Sequence, residues 1–209
     1  MNILCINLKS RLDRKTHAIK ELEKLNKTLF SGYTIYDAHK SKRYEHKALG
    51  CNLSHIGCLQ YAAKENWPMV LICEDDITFT NVPLFESQLS AFLDSKIEWD
   101  VILIAGNNFQ PYNVINETCI RVLACQTTTG YIVKREYYST LESNFKESYT
   151  LLKNNRHKYS IYAMDKWWFS LQREHNWYLI IPLTIIQYTN YSNILEKNVD
   201  YTVDMLSLK

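Results

Sequence analysis

The chain has 209 residues, 46% of them hydrophobic and 22% charged, and a formal net charge of +2. That balance excludes a disordered polymer, and so small a net charge excludes nucleic acid or an anionic membrane as the main partner. No apolar run approaches the ~18 residues of a transmembrane segment, and "MNILCINLKSR" lacks the pattern of a cleavable leader. The expectation is therefore one cytoplasmic domain over 1–209.

In chain order, "ILCINL" (3–8) predicts a buried strand. The next segment, 11–30, predicts a helix with Ile19, Leu22, Leu25 and Leu29 on one stripe. "YTIYDA" (33–38) alternates like a second strand. "HKSKRYEHK" (39–47) is locally basic, either a solvated loop or a rim that attracts phosphates. A helix is expected from Gly50 to about Asn66, and a third strand over 68–74 with its proline at the entry. Pro83 suits the first turn of a helix running to about Leu93. "WDVILIAG" (99–106) predicts another strand, "CIRVLACQ" is strand-like within a mixed 107–127, and "GYIVK" (130–134) is short and β-rich. Helices over 136–153 and 163–174 and a β-rich segment over 177–188 complete the chain. Strands alternating with helices predict an α/β sheet with helices on its faces.

The six cysteines lie mostly in apolar segments and read as small buried hydrophobes. Cys51, His55 and Cys58 share a helical face, as i, i+4 and i+7. As zinc ligands they make three of four, with Cys73 or His46 available. The face lacks the paired Cys-x-x-Cys of a strong zinc motif, and packing against the sheet is the preferred reading. Trp167, Trp168 and Trp177 are expected in the core.

The run "VLICEDDITF" (70–79) raises a sharper question, because a strand this apolar ends on Glu74, Asp75 and Asp76. Alternation along the strand predicts that Glu74 and Asp76 project together while Asp75 points away. Ligands of open α/β sheets bind beyond the carboxyl ends of the strands. Two carboxylates there form half a coordination sphere for Mg²⁺ or Mn²⁺, with phosphate oxygens and water completing it.

An ordered series of segments resembles glycosyltransferase family 25, the group of lipooligosaccharide and collagen galactosyltransferases. "INLKSRLDR" (6–14), "GCNLSHIGCL" (50–59), "CEDDITF" (73–79), "WDVILIAG", "TTGYIV" (128–133), "AMDKWW" (163–168) and "PLTIIQYTNYSNI" (182–194) carry it. Two positions depart from the family pattern: Asn193 stands where Asp is usual, and His39 near a common glycine.

The resemblance implies a GT-A-type, Rossmann-like mixed sheet flanked by helices. It implies transfer of a hexose from a UDP-sugar to a hydroxyl of a glycan or protein acceptor, with inversion and a divalent cation. A catalytically silent relative that only binds a glycan or nucleotide is the alternative. Glu74 and Asp76 would hold the metal. Asn7, Arg11, Arg14, Ser54, His55, Asp75, Thr129, Gly130, Tyr131, Gln187 and Ser192 would bind the donor, with Thr128, Thr129 and Tyr131 lining the sugar pocket. Asp165, which would otherwise suit a helix N-cap, matches the family's aspartate and would take the acceptor proton. Asp100 is its competitor, but begins a strand, away from the expected ligand edge.

Overall fold

The computed structural model describes residues 1–208 apart from Tyr44, Asn193, Leu195 and Glu196; the departure at Asn193 therefore lies outside the described residues. The first half runs β1 (Asn2–Asn7), α1 (Leu12–Leu22), β2 (Gly32–Asp37), α2 (Ala48–Lys64), β3 (Met69–Glu74), β4 (Ile77–Phe79) and α3 (Val82–Asp94). Six short strands follow: β5 (Val101–Leu103), β6 (Asn107–Asn108), β7 (Asn113–Val114), β8 (Cys119–Arg121), β9 (Cys125–Gln126) and β10 (Gly130–Lys134). The rest comprises α4 (Tyr138–Asn154), α5 (Tyr159–Tyr162), α6 (Met164–Trp167), α7 (Phe169–Glu174), β11 (Trp177–Ile180), β12 (Ile185–Gln187), β13 (Asn190–Ser192), β14 (Lys197–Val199) and α8 (Thr202–Met205).

Eight strands form the central sheet in the order β2-β1-β3-β10-β5-β11-β8-β7. β1 is parallel to β2 and β3, and β5 is parallel to β11. β10 lies antiparallel between β3 and β5, with Gly130 opposite Cys73 and Tyr131 opposite Leu103. This is the expected GT-A-type mixed sheet. Its central strands are buried on both faces, which explains why they read as continuous apolar runs. Leu71 and Cys73 of β3 pack with Leu22, Phe85 and Phe92 on one side. Val70 and Ile72 pack with Ile56, Leu59, Leu141 and Phe145 on the other. Each such fully buried side chain contributes roughly 1.5–3 kcal/mol relative to exposure.

Four elements differ from the sequence expectation, each for a local reason. The first helix stops at Leu22 rather than continuing to residue 30. Beyond it Asn26 Oδ1 accepts the Thr28 N–H at 2.8 Å, a side-chain turn that competes with helix. Leu25 still reaches the core, at 6% exposure, from within the turn. The helix expected over 163–174 is two pieces meeting at Trp168, whose indole N–H donates to the Cys125 carbonyl at 2.9 Å. The segment 177–188 is two strands, β11 and β12, separated by Pro182, which has no N–H for a ladder. The strand at 99–106 is regular only over Val101–Leu103. Gly106 then passes so close to β9 that a Cβ there would stand 2.5 Å from Cys125 Sγ.

Candidate active site

The carboxyl ends of β1 and β3, the start of β10 and the short helices around Asp165 surround one cavity of about 970 Å³. Its walls include Arg11, Arg14, Glu74, Asp75, Asp76 and Asp165, and its rim carries Lys40, Lys42, Arg43 and Lys47 from the basic segment.

β3 ends at Glu74, and the chain turns at Asp75 and Asp76 before β4. Strand alternation therefore stops governing these side chains, and the expected pairing changes. Asp75 does not point away: the Arg14 guanidinium, from α1, donates to Asp75 Oδ1 at 2.8 Å and to Asp76 Oδ2 at 3.2 Å. Asn7 Nδ2 donates to Asp75 Oδ2 at 2.7 Å. Glu74 instead faces α2 and the segment that leads into β10. It accepts hydrogen bonds from the Thr128 hydroxyl and, at 3.7 Å, from the Cys51 thiol. His55 Nε2 stands 3.4 Å from Glu74 Oε1, within ion-pair range.

The two environments titrate in opposite directions. Burial, then repulsion from Glu74, pushes Asp76 up to about 7, although Arg14 pulls the other way. Asp75 is raised mainly by burial. Glu74 is penalised by burial too, but His55 and Thr128 outweigh that and hold it below its ordinary value. One guanidinium faces three carboxylates, so its own pKa rises while two of the acids stay harder to ionise. Asp76 Oδ1 is buried without a hydrogen-bond partner. A buried, unsatisfied carboxylate oxygen beside two further acids fits a divalent cation, which would supply the missing charge.

Asp165 sits in the first turn of α6, and its Oδ2 accepts the Thr127 N–H at 3.1 Å. Burial raises its pKa, with a contribution from Glu74. Thr127 adopts φ of 78°, a left-handed conformation costly for a β-branched residue. Sequence reading missed Thr127, because nothing in a run of three threonines marks which one turns. It also missed Asn107, Tyr159, Tyr188 and Tyr201, which line the cavity from loops and late elements.

The remaining expected site residues divide into wall and support. Ser54, Thr128, Gln187 and Ser192 line the cavity. Asn7, His55, Thr129, Gly130 and Tyr131 are buried behind its walls. The expectation that Tyr131 edges a sugar pocket therefore changes: its hydroxyl meets His55 Nδ1 at 2.9 Å and supports the ring from below. Ser54 accepts the His39 N–H at 2.8 Å and donates to the Gly50 carbonyl at 2.7 Å. This close approach is why glycine stands at 50, where a Cβ would lie 2.5 Å from the His39 carbonyl. Asp100 accepts the Asn176 N–H at the opposite end of β5, away from the cavity. Cys58, Trp168 and Trp177 are core residues, while Trp167 is half-buried and donates to Glu147 at 3.0 Å.

Residues 1–164 match the family model described as "Glycosyltransferase family 25 (LPS biosynthesis protein)". A comparison with curated proteins gives no match. Among solved structures, the chain is similar to A197 from STIV, at 13% identity and TM-score 0.51, over 95% of this chain and 92% of that one. It also aligns with a glycosyltransferase involved in glycosylation of the major capsid of PBCV-1, at 11% identity and TM-score 0.44, over 86% and 91% of the two chains. The family match stops one residue before Asp165, so for Asp165, Gln187 and Ser192 the cavity geometry is the independent support.

Proposed function

The chain belongs to glycosyltransferase family 25, and from that premise we propose that it transfers a hexose from a UDP-sugar to a glycan or protein hydroxyl, with inversion. The observation that supports the reading is the acidic turn Glu74–Asp76 at the ligand edge of the sheet, where Asp75 and Asp76 are buried and share the Arg14 guanidinium. Glu74 and Asp76 would hold Mn²⁺ or Mg²⁺, which when bound supplies positive charge for the departing diphosphate. Arg11 and Arg14 reach the same wall, where planar guanidinium groups suit phosphate oxygens. Asn7 holds the Asp75 side of the turn in place.

Asp165 is the base in this reading. The Thr127 N–H fixes one carboxylate oxygen, leaving Oδ1 to accept the acceptor hydroxyl's proton as that oxygen attacks the anomeric carbon. Burial makes the carboxylate more basic than a solvated aspartate. Lys40, Lys42, Arg43 and Lys47 on the rim attract the anionic donor.

Thermal unfolding with UDP tests the reading directly. UDP is expected to raise the melting temperature when Mn²⁺ or Mg²⁺ is present and to do little in EDTA, because diphosphate and carboxylates repel. Equal shifts in both conditions would overturn the metal-dependent donor site. Radiolabelled hexose transfer from a panel of UDP-sugars then identifies the donor.

A further inference from the structure

On the far side of Glu74 stand two side chains, Cys51 and His55, that have no direct part in that reaction. Cys51 Sγ, His55 Nε2 and Glu74 Oε1 all lie within 4.8 Å of one another. We propose that Cys51, His55 and Glu74 form a site for a thiophilic divalent metal such as Zn²⁺, chemically distinct from the hard-cation site at Asp76.

The distances carry the proposal. Around a tetrahedral zinc, bond lengths of about 2.3 Å to sulfur and 2.0–2.2 Å to nitrogen and oxygen place neighbouring S and O donors roughly 3.5 Å apart, and N and O donors roughly 3.4 Å apart. Here the Cys51–Glu74 separation is 3.7 Å and the His55–Glu74 separation is 3.4 Å. Two edges of the donor triangle thus match such a polyhedron, and the third, Cys51 to His55, is within 4.8 Å. His55 Nε2 is fully buried and makes no aligned hydrogen bond, so it is aimed at the group without being satisfied by it. Its other nitrogen, Nδ1, meets the Tyr131 hydroxyl at 2.9 Å, which fixes the ring as an outer partner fixes a metal-bound imidazole. Cys51 and Glu74 also border the cavity, so the fourth position opens to water or an incoming anion.

The expected helical trio of Cys51, His55 and Cys58 is not this group. Cys58 is buried in the sheet-facing core, and Glu74 replaces it across the fold. Thiolate and imidazole donors select zinc over magnesium or manganese. Binding replaces the thiol proton of Cys51, which passes to solvent, so affinity rises with pH. A bound zinc also holds Glu74 on its own side, in competition with a hard cation at the turn. That competition, though not the site, rests on the donor-binding reading above.

Cobalt(II) titration of the metal-free protein, without any sugar nucleotide, tests the site apart from the transferase reading. One equivalent is expected to give a thiolate-to-cobalt charge-transfer band and the intense visible bands of tetrahedral geometry, both displaced by zinc. Cys51→Ser should abolish the charge-transfer band, and Cys119→Ser, whose sulfur is not in the cavity wall, should retain it. Tyr131→Phe should weaken cobalt binding by roughly 10–100-fold, as loss of an outer partner does. In parallel, zinc should protect Cys51 of the unaltered protein from alkylation, read by mass spectrometry. This arm does not require any variant to fold. No charge-transfer band, a band that survives Cys51→Ser, or alkylation of Cys51 indifferent to zinc would each overturn the proposal.

Discussion

The two sides of the acidic turn hold the same kind of group in opposite ways. On the β1–α1 side, Asp75 and Asp76 share one guanidinium, and their carboxyls are still driven upward by burial. On the α2–β10 side, Glu74 meets a hydroxyl, a thiol and an imidazole, and it ionises more readily than usual. What differs is the sharing: Glu74, with an imidazole and a hydroxyl to itself, ionises more readily than two carboxylates that divide one guanidinium. The first side is short of charge and suits a cation and a diphosphate. On the second, Glu74 already has hydrogen-bond donors of its own, and Asp165 lines the same cavity.

The largest effect should come from the second side. Asp165→Asn is expected to lower turnover by about 10²–10⁴-fold, the range of a lost general base, while calorimetric affinity for UDP with Mn²⁺ stays nearly unchanged. Near-normal turnover would move the base to another group of the cavity wall. On the first side, Arg14→Ala leaves two buried acids unpaired and should cost about 3–5 kcal/mol of unfolding free energy in urea. A cost below about 1 kcal/mol would mean that water already pairs these acids, and the contrast between the sides would collapse.

How much of this was legible in the sequence follows the same division. The Glu-Asp-Asp run could be found because it lies at the end of a strong apolar strand, where a charge has no reason to be unless something meets it. Arg14 of α1 was reached only through the family resemblance. The second side is assembled across the fold. Cys51 and His55 come from α2, Thr128 from before β10 and Asp165 from α6, and no spacing announces that they meet. The alternation rule failed at Asp75 because the strand ends one residue earlier, at Glu74. Pattern located the long elements well, whereas 163–174 was misread because Trp168 and Gln172 bond to the Cys125 carbonyl, a contact remote in sequence.

A smaller change sharpens the second side. Tyr131→Phe removes the hydroxyl from His55 Nδ1 and should cost about 1–3 kcal/mol, because it leaves a buried polar atom alone. Chemical denaturation measures it, and a neutral result would show that the ring needs no support. A pH series separates the sides by sign. Asp76 has a folded pKa of about 7, above its unfolded value. The folded state therefore holds the extra proton, and metal-free stability should fall as pH rises from about 4 to 7. Glu74 is lowered, so its contribution is present above its unfolded pKa and is lost as pH falls through its folded one. Melting temperatures across this range should lose the downward slope in Asp76→Asn and keep it in Glu74→Gln. Mn²⁺ should flatten it in the unaltered protein.

The antiparallel placement of β10 has a consequence of its own. Because β10 runs against β5, the chain that leaves β5 after Leu103 returns beside it at Gly130, having supplied β7 and β8 to the far edge of the same sheet, and the Ile104 N–H donates to the Gly130 carbonyl at 3.1 Å. Residues 104–129 are thus an excursion clasped at its two ends, with an exposed tip around Gln110 and Asn113. Each doubling of such a closed loop costs only about 0.6 kcal/mol in closure entropy. Chain length at that tip can therefore vary while the strands beneath keep their register, which makes it the natural place to graft new segments.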